Sequence, residues 1–108
     1  FLVGFETLGF FAKQKLKNTK IKTPNFVHGM QYSGQIDISK IQSILSHSSK
    51  GINEMVVHPG YKSTALREKL PWGYSNFNWD IERVTLQSDE FKVLLDKYDI
   101  SLIQYKDL

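Results

Sequence analysis

Apolar residues recur at helical spacing in three parts of the chain, and end signals accompany each part. Near the amino terminus the recurring residues are Leu2, Phe5, Leu8 and Ala12. In the second part, which Asp37 can cap and Gly51 can stop, they are Ile38, Ile41, Ile44 and Leu45. In the third part, which Ser88 can cap, they are Phe91, Leu94, Leu95 and Tyr98. With a shorter helix at residues 80–86, the pattern predicts four helices.

Three shorter apolar segments predict strands, at residues 21–27, 52–57 and 100–105. A helix followed by a strand is typical of a parallel sheet with crossover helices, so the predicted fold class is α/β. Two or three parallel strands are too few to be covered on both faces by their own helices. The pattern therefore indicates part of a larger closed or doubly wound sheet. Residues 61–78 predict a long connection without secondary structure, a kind of segment that is often functional.

Composition favours a single ordinary unit spanning residues 1–108. The chain is 41% hydrophobic and rich in aromatic residues, with seven Phe, five Tyr and two Trp, which is enough apolar mass for one core. The first residue is phenylalanine rather than methionine. That beginning suggests a fragment or a processed product whose first element starts upstream.

Charge and cysteine content argue against several classes of protein. The net charge is only +3, and the one dense basic stretch, residues 13–22, has no interleaved aromatic residues, so nucleic-acid binding is not expected. The absence of cysteine removes disulfides, thiolate zinc sites and cysteine nucleophiles, and it fits a cytoplasmic protein. Residues 1–12 are apolar but include Glu6, and a bilayer span needs about 20 residues, so no membrane partner is expected.

The predicted strand at residues 52–57 runs into the most informative motif of the chain, His58-Pro59-Gly60-Tyr61. Pro59 restricts His58 to extended geometry and cannot continue a central strand, while Gly60 permits a sharp turn. The imidazole then lies at the carboxyl end of a strand, where α/β sheets place their ligands. His58 is therefore the candidate catalytic residue, and a structural, hydrogen-bonded role stays open beside it.

The remaining polar and aromatic residues are weaker candidates. His28 is predicted in a turn and His47 at a helix end, both in structural roles. Glu54 points to the same side as His58 but about 13 Å away, so it is predicted to lie deeper, with a cationic or backbone partner. Some aromatic residues could line a sugar-binding cleft or simply pack the connection: Tyr61, Tyr74, Phe77 and Trp79. No local metal, phosphate-loop or dinucleotide motif is present.

Residues 54–61 read E-M-V-V-H-P-G-Y, and residues 23–29 read T-P-N-F-V-H-G. These segments are similar to the signatures E-L-M-x-H-P-G-Y and T-D-x-F-x-G of the YdjC-like carbohydrate deacetylases, a family that includes chitooligosaccharide deacetylases. The resemblance extends from Thr23 onward. Downstream, Glu82 and Leu86 resemble its terminal R-x-x-E-L-x-x-L helix. The helix at 88–95 and the closing segment 100–108 follow in the family's order.

The resemblance implies the carboxyl-terminal part of a distorted (β/α) TIM-like barrel of the glycoside hydrolase/deacetylase type, lacking its amino-terminal half. It also implies removal of N-acetyl groups from amino-sugar oligosaccharides, assisted by a divalent metal, Mg or Zn. In that chemistry His58 would be the acid that protonates the departing amine, or a group that orients it. Pro59 and Gly60 would shape its turn, and Tyr61 would touch the substrate.

Two departures from the family pattern qualify these expectations. The family's early Asp-Asp-Phe-Gly segment and its two metal-binding histidines do not occur here, so no metal ligand is expected in this chain, and the chain alone is expected to be inactive. Trp79 also stands where the family usually has arginine. The alternative function is a non-catalytic α/β module that binds a sugar or a protein through residues 61–79. Formation of a homo-oligomer is left open.

Overall fold

The computed structural model describes residues 2–108, except for the side chains of residues 2, 3 and 5. The apolar side chains predicted at Leu2 and Phe5 therefore lie outside the described part of the structure. So does Phe1, from which a fragment or a processed product was expected. The described helices are α1 (Leu2–Leu16), α2 (Ile38–His47), α3 (Thr64–Lys69), α4 (Pro71–Asn76), α5 (Trp79–Gln87) and α6 (Asp89–Lys97). The strands in this range are β1 (Phe26–His28) and β2 (Asn53–Met55), and 3₁₀ turns cover Met30–Tyr32 and Tyr105–Asp107.

The two strands form a parallel sheet in which Val27 pairs with Glu54 and His28 with Met55. Helix α2 lies between them in the chain, so strand, helix and strand follow the predicted crossover order. One further bond, from the Val56 N–H to the His28 carbonyl at 2.9 Å, extends the pairing beyond β2. The molecule is thus mostly helical with a small parallel sheet, which confirms the predicted α/β class.

The apolar core lies on one face of this sheet. Its buried members come from the segment before α2, from α2 and from α6: Ile36, Ile41, Phe91 and Leu94. Met55 and Val57 pack against this cluster from the sheet side. Because successive strand residues point to opposite faces, Glu54 and Val56 are directed to the face opposite α2 and α6. Val27 on this second face is 55% exposed.

Capping residues explain where the helices begin, as predicted. Asp37 accepts a hydrogen bond from the Lys40 N–H at 3.0 Å and starts α2, and Ser88 accepts one from the Phe91 N–H at 3.2 Å and starts α6. The predicted stop of α2 is displaced, since the helix ends at His47, four residues before Gly51. The helices predicted near the amino terminus and at residues 80–86 are confirmed by α1 and α5.

The prediction that residues 61–78 lack secondary structure is wrong. Ser63 caps α3 by accepting a hydrogen bond from the Leu66 N–H at 3.1 Å, and Pro71 occupies the first turn of α4. Proline at this position costs nothing, since the first N–H groups of a helix have no partner within it. Two short helices pack against each other here and give the connection a defined shape.

The predicted strands are also shorter or absent within the described range. In place of strands at 21–27 and 52–57, β1 and β2 have three residues each, because Gly29 leaves the sheet in the left-handed region at φ 91°. Residues 100–105 form no strand: the Ile100 N–H closes the end of α6, and Tyr105 begins a 3₁₀ turn. Local bonds thus occupy both ends of that segment. In all, residues 2–108 contain two strands and six α-helices, where three strands and four helices were predicted.

No helix in the described range combines the length and the apolar character that crossing a bilayer requires.

Candidate functional site

His58 lies three residues beyond the end of β2, on the extension of that strand. Its side chain is half-buried, and the ring of Phe77 meets it edge-on, with centroids 5.0 Å apart and planes at 79°. The Nδ1 atom of His58 is buried and has no hydrogen-bond partner among the described residues. A buried nitrogen of this kind calls for a partner, because leaving it unpaired costs free energy.

The backbone at His58 is held by a buried carboxylate on α5. Glu82 is 0% exposed; one of its oxygens accepts a hydrogen bond from the Ile36 N–H at 3.1 Å, and the other accepts the His58 N–H. Burying a carboxylate is costly unless it is hydrogen-bonded, and bonds to an ionised acceptor are stronger than neutral ones. Glu82 therefore links the backbone of Ile36, in the core, to the backbone of His58.

Two further bonds tie the residues after His58 to the beginning of α5. The Gly60 N–H donates to the Trp79 carbonyl at 3.2 Å, and the Lys62 N–H donates to Asp80 Oδ2 at 3.2 Å. Gly60 does not adopt a positive φ, and a Cβ placed there would meet Trp79 Cβ at 3.4 Å, an ordinary contact distance. The turn thus rests on hydrogen bonds to α5, and Trp79 contributes through its backbone and by packing.

Phe77 and Trp79 form the support beneath the His58 ring. Their rings are stacked, with centroids 5.8 Å apart and planes at 24°. Phe77 also lies directly over Gly34, whose φ is 75° and where any Cβ would collide with the phenyl ring. Only glycine accommodates both the left-handed backbone and this close approach. Phe77 and Trp79 are therefore packed side chains. They do not line an open cleft, which was one of the two roles predicted for them.

Tyr61 remains open to solvent, with 71% of its surface exposed. The guanidinium of Arg83 lies over its ring at 4.1 Å from the centroid, and Arg83 is in turn paired with Asp80 at 3.3 Å. Tyr74, by contrast, is half-buried and lies under the ammonium of Lys62 at 4.9 Å. Of the four aromatic residues proposed for a cleft, Tyr61 is the one that offers most of its ring.

The other two histidines are accounted for by local bonds. His28 is the last residue of β1 rather than a turn residue, and its Nε2 is 2.9 Å from Asn53 Oδ1. His47 is in the last turn of α2, where its Nδ1 is 2.8 Å from the Ser43 carbonyl oxygen. Both fit the structural roles predicted for them. His58 differs because its buried ring nitrogen lacks such a partner.

Glu54 has a partner of a different kind from the one predicted. The Tyr105 hydroxyl donates a hydrogen bond to its carboxylate, in place of the cationic or backbone group expected. This bond to Glu54 raises the pKa of the Tyr105 hydroxyl, since losing the proton would place two negative oxygens together. The pair fastens the carboxyl-terminal turn to β2.

The described residues around His58 form no metal site. No three His, Asp or Glu side chains in this part of the chain lie close enough to share a metal ion, so they do not fit the metal that the resemblance implies. The better-defined cavities of the described chain include one of about 290 Å³ between β2, α2 and α6. His58 lines neither this cavity nor the other three defined there.

The sequence did not predict that Glu82 is a buried hydrogen-bond acceptor, although Glu82 belongs to the segment that resembles the R-x-x-E-L-x-x-L helix. A signal was available, because Glu82 lies one helical turn before Leu86 and so shares the inward face of α5. A carboxylate on an inward face needs hydrogen-bond donors, but its two donors are 46 and 24 residues away in the chain. Only the folded arrangement identifies them.

Comparison with known proteins gives one family. The model of the family described as YdjC-like protein matches residues 3–97 of the 108. No curated protein and no solved structure matches the chain.

Proposed function

This chain belongs to the YdjC-like family, and from that premise we propose that it is the carboxyl-terminal part of a carbohydrate deacetylase. The proposed reaction is hydrolysis of an N-acetyl group on an amino-sugar oligosaccharide, which releases acetate and leaves a free amine. The proposed architecture of the longer protein is a distorted (β/α) barrel. In it, the face of the sheet that carries Glu54, Val56 and His58 would look into the barrel.

The observation that carries the proposal is the fixed placement of His58. Its peptide N–H is held by the buried Glu82, while its ring nitrogen Nδ1 is buried without a partner in the described range. A catalytic group must be held in position by its surroundings, and a partner at Nδ1 would orient the ring and leave Nε2 for the reaction. An acceptor or donor from another part of the barrel would complete the environment of Nδ1.

In this reaction we assign His58 the role of the acid. The C–N bond of an amide breaks only when the nitrogen is protonated as it departs, because an amide anion is too poor a leaving group. Imidazole is the side chain most suited to exchange that proton near neutral pH. Water would add to the acetyl carbon and lose a proton to solvent. The C–N bond of the adduct would then break as His58 donates a proton to the departing nitrogen, which gives the free amine and acetate. Pro59 and Gly60 would keep the imidazole at the strand end, with Tyr61 beside the sugar.

A divalent ion, Mg or Zn, is the cofactor proposed for the longer protein, where it would activate water. The described residues of this chain do not fit such an ion, so its ligands would come from other segments of the barrel. The contribution of this chain is the proton donor and one wall of the substrate site.

The test is acetate release from N-acetylglucosamine oligomers by the longer protein. General acid catalysis is worth about 10²–10⁴-fold in rate, so we expect His58→Ala to lower kcat by that factor with metal content unchanged. His47→Ala is the matched control, because that histidine lies at the end of α2 and bonds only to nearby residues. Turnover by His58→Ala within twofold of wild type would reject the assigned role.

A second candidate is a non-catalytic module that binds sugar or protein through residues 61–79. The exposed ring of Tyr61 favours it, since large exposed aromatic side chains are common at binding surfaces. Oligosaccharide binding without acetate release, in wild-type protein supplied with Mg or Zn, would select this candidate over the enzyme.

A further inference from the structure

Trp72 is an exposed tryptophan on α4 that is separated from His58 by a single ring. It is 68% exposed, and its ring meets Phe77 edge-on, with centroids 5.6 Å apart and planes at 63°. Phe77 in turn meets the ring of His58 at 5.0 Å. A large apolar surface thus lies open to solvent on the same aromatic support that carries the proposed acid.

The backbone that carries Trp72 is well held. Its carbonyl accepts a hydrogen bond from Asn76 Nδ2 at 2.7 Å, and the Pro71 carbonyl accepts one from Ser75 Oγ at 3.1 Å. The next residue, Gly73, is buried so closely that a Cβ would approach Leu70 Cδ2 to 2.9 Å. An aromatic side chain on a fixed backbone loses little conformational freedom when a ligand binds, so more of its contact energy appears as affinity.

The chemistry of the exposed indole matches a sugar ring. Its broad face is apolar, as are the C–H faces of a pyranose, and its N–H makes no hydrogen bond to any described residue. That N–H remains able to donate to a hydroxyl or an acetamido oxygen. No cation lies over Trp72 among the described residues, whereas Tyr61 and Tyr74 are each covered on one face by a side-chain cation. Trp72 therefore keeps its ring available.

We propose that Trp72 forms a second sugar subsite, on which the residue next to the reacting amino sugar stacks. This inference rests on the proposed deacetylase function and specifies its substrate further. In this proposal Trp72 on α4 gives the enzyme its preference for an oligosaccharide over a single sugar, and Trp72 does not take part in the reaction itself.

The kinetic test uses the longer protein with N-acetylglucosamine and its dimer and trimer. We expect Trp72→Ala to raise KM about tenfold for the dimer and trimer, a loss of about 1.4 kcal/mol of binding, and to leave kinetics on the single sugar unchanged. Trp72→Phe, which keeps an aromatic face, should recover most of the loss. Val93→Ala, at another exposed apolar position, should behave as wild type. An unchanged KM for the trimer in Trp72→Ala would overturn the proposal.

A second readout separates the subsite from the reaction. The indole ¹⁵N–¹H resonance of Trp72 can be assigned by its loss in Trp72→Phe, and we expect it to shift and saturate when trimer is added. A saturable shift without any acetate release would support sugar binding at Trp72 but reject the deacetylase, and with it the assignment of Trp72 beside a reacting sugar. Acetate release without such a shift would support the deacetylase and reject the sugar subsite at Trp72.

Discussion

At the scale of single residues, the candidate site depends on a buried carboxylate that bonds to backbone N–H groups. Glu82 accepts hydrogen bonds from the backbone of Ile36 and His58, which are 22 residues apart in the chain. The bonds are made to backbone N–H groups, so any residue except proline would be held at position 58 in the same way. The role of Glu82 is therefore to fix the backbone beyond β2, and in the proposed reaction the imidazole of His58 would supply the chemistry.

We expect Glu82→Gln to lower the free energy of unfolding by about 2–3 kcal/mol. The amide has one oxygen and one NH₂ group, so it can accept only on one side and must turn a donor toward the other buried N–H. Chemical denaturation of both proteins measures the difference. Glu90→Gln, in the exposed first turn of α6, is the control and should change stability by less than about 0.5 kcal/mol. Equal small effects at both positions would contradict the role given to Glu82.

At the scale of elements, capping side chains set the boundaries of the helices that carry the core. Asp37 bonds the Lys40 N–H and also pairs with the Lys40 ammonium at 2.9 Å. Hydrogen bonds from the Lys40 side chain and backbone, and from Ser39, hold the pKa of the Asp37 carboxyl well below its usual range. These are local bonds, which is why the beginning of α2 could be predicted from the sequence.

Asp37→Ala should cost about 1 kcal/mol of stability at pH 7, the usual effect of removing an N-cap. Because the folded-state pKa is lowered, this contribution is complete above the unfolded value of about 3.9 and declines as the pH falls below it toward the folded value. Thermal or urea unfolding of both proteins between pH 7 and pH 2 measures the decline. Asp37→Asn, which keeps a capping oxygen, should lose less at pH 7. A difference that stays constant down to pH 2 would contradict this account.

At the scale of the whole molecule, the sheet is covered by helices on one face and is open on the other. The core residues of α2 and α6 pack against Met55 and Val57, whereas Val27 points into solvent on the opposite side. Parallel sheets are normally buried on both faces. The proposed barrel would account for this asymmetry, since the open face would then be its interior.

Val27→Asp tests that architecture in the longer protein. If the face is the packed interior of a barrel, a carboxylate there would be buried without a partner, and we expect a loss of about 3 kcal/mol or more in unfolding free energy. The control is Val93→Asp on α6, a position that is 62% exposed and should lose less than about 1 kcal/mol. Equal losses at the two positions would argue against the barrel.

The candidate site was predictable in part. His58 and its neighbours were identified because Pro59 and Gly60 follow an apolar segment, a local pattern that the chain displays directly. The aromatic candidates were predicted as a group of four: Tyr61, Tyr74, Phe77 and Trp79. The sequence does not show which aromatic side chains are packed and which are exposed. Packing then separated them: Phe77 fills the space over Gly34, while Tyr61 stays exposed over Arg83.

The sequence by itself determined the α/β class, the helix starts at Asp37 and Ser88, and the family, because each follows from residues close together in the chain. Only the tertiary structure decided the length of the strands, the fate of residues 100–105, the partners of Glu54 and Glu82, and the exposure of Trp72. Those features depend on which distant backbone and side-chain groups are within hydrogen-bonding or packing distance. Spacing along the chain does not encode that proximity, because it arises only when the helices and the sheet have packed together.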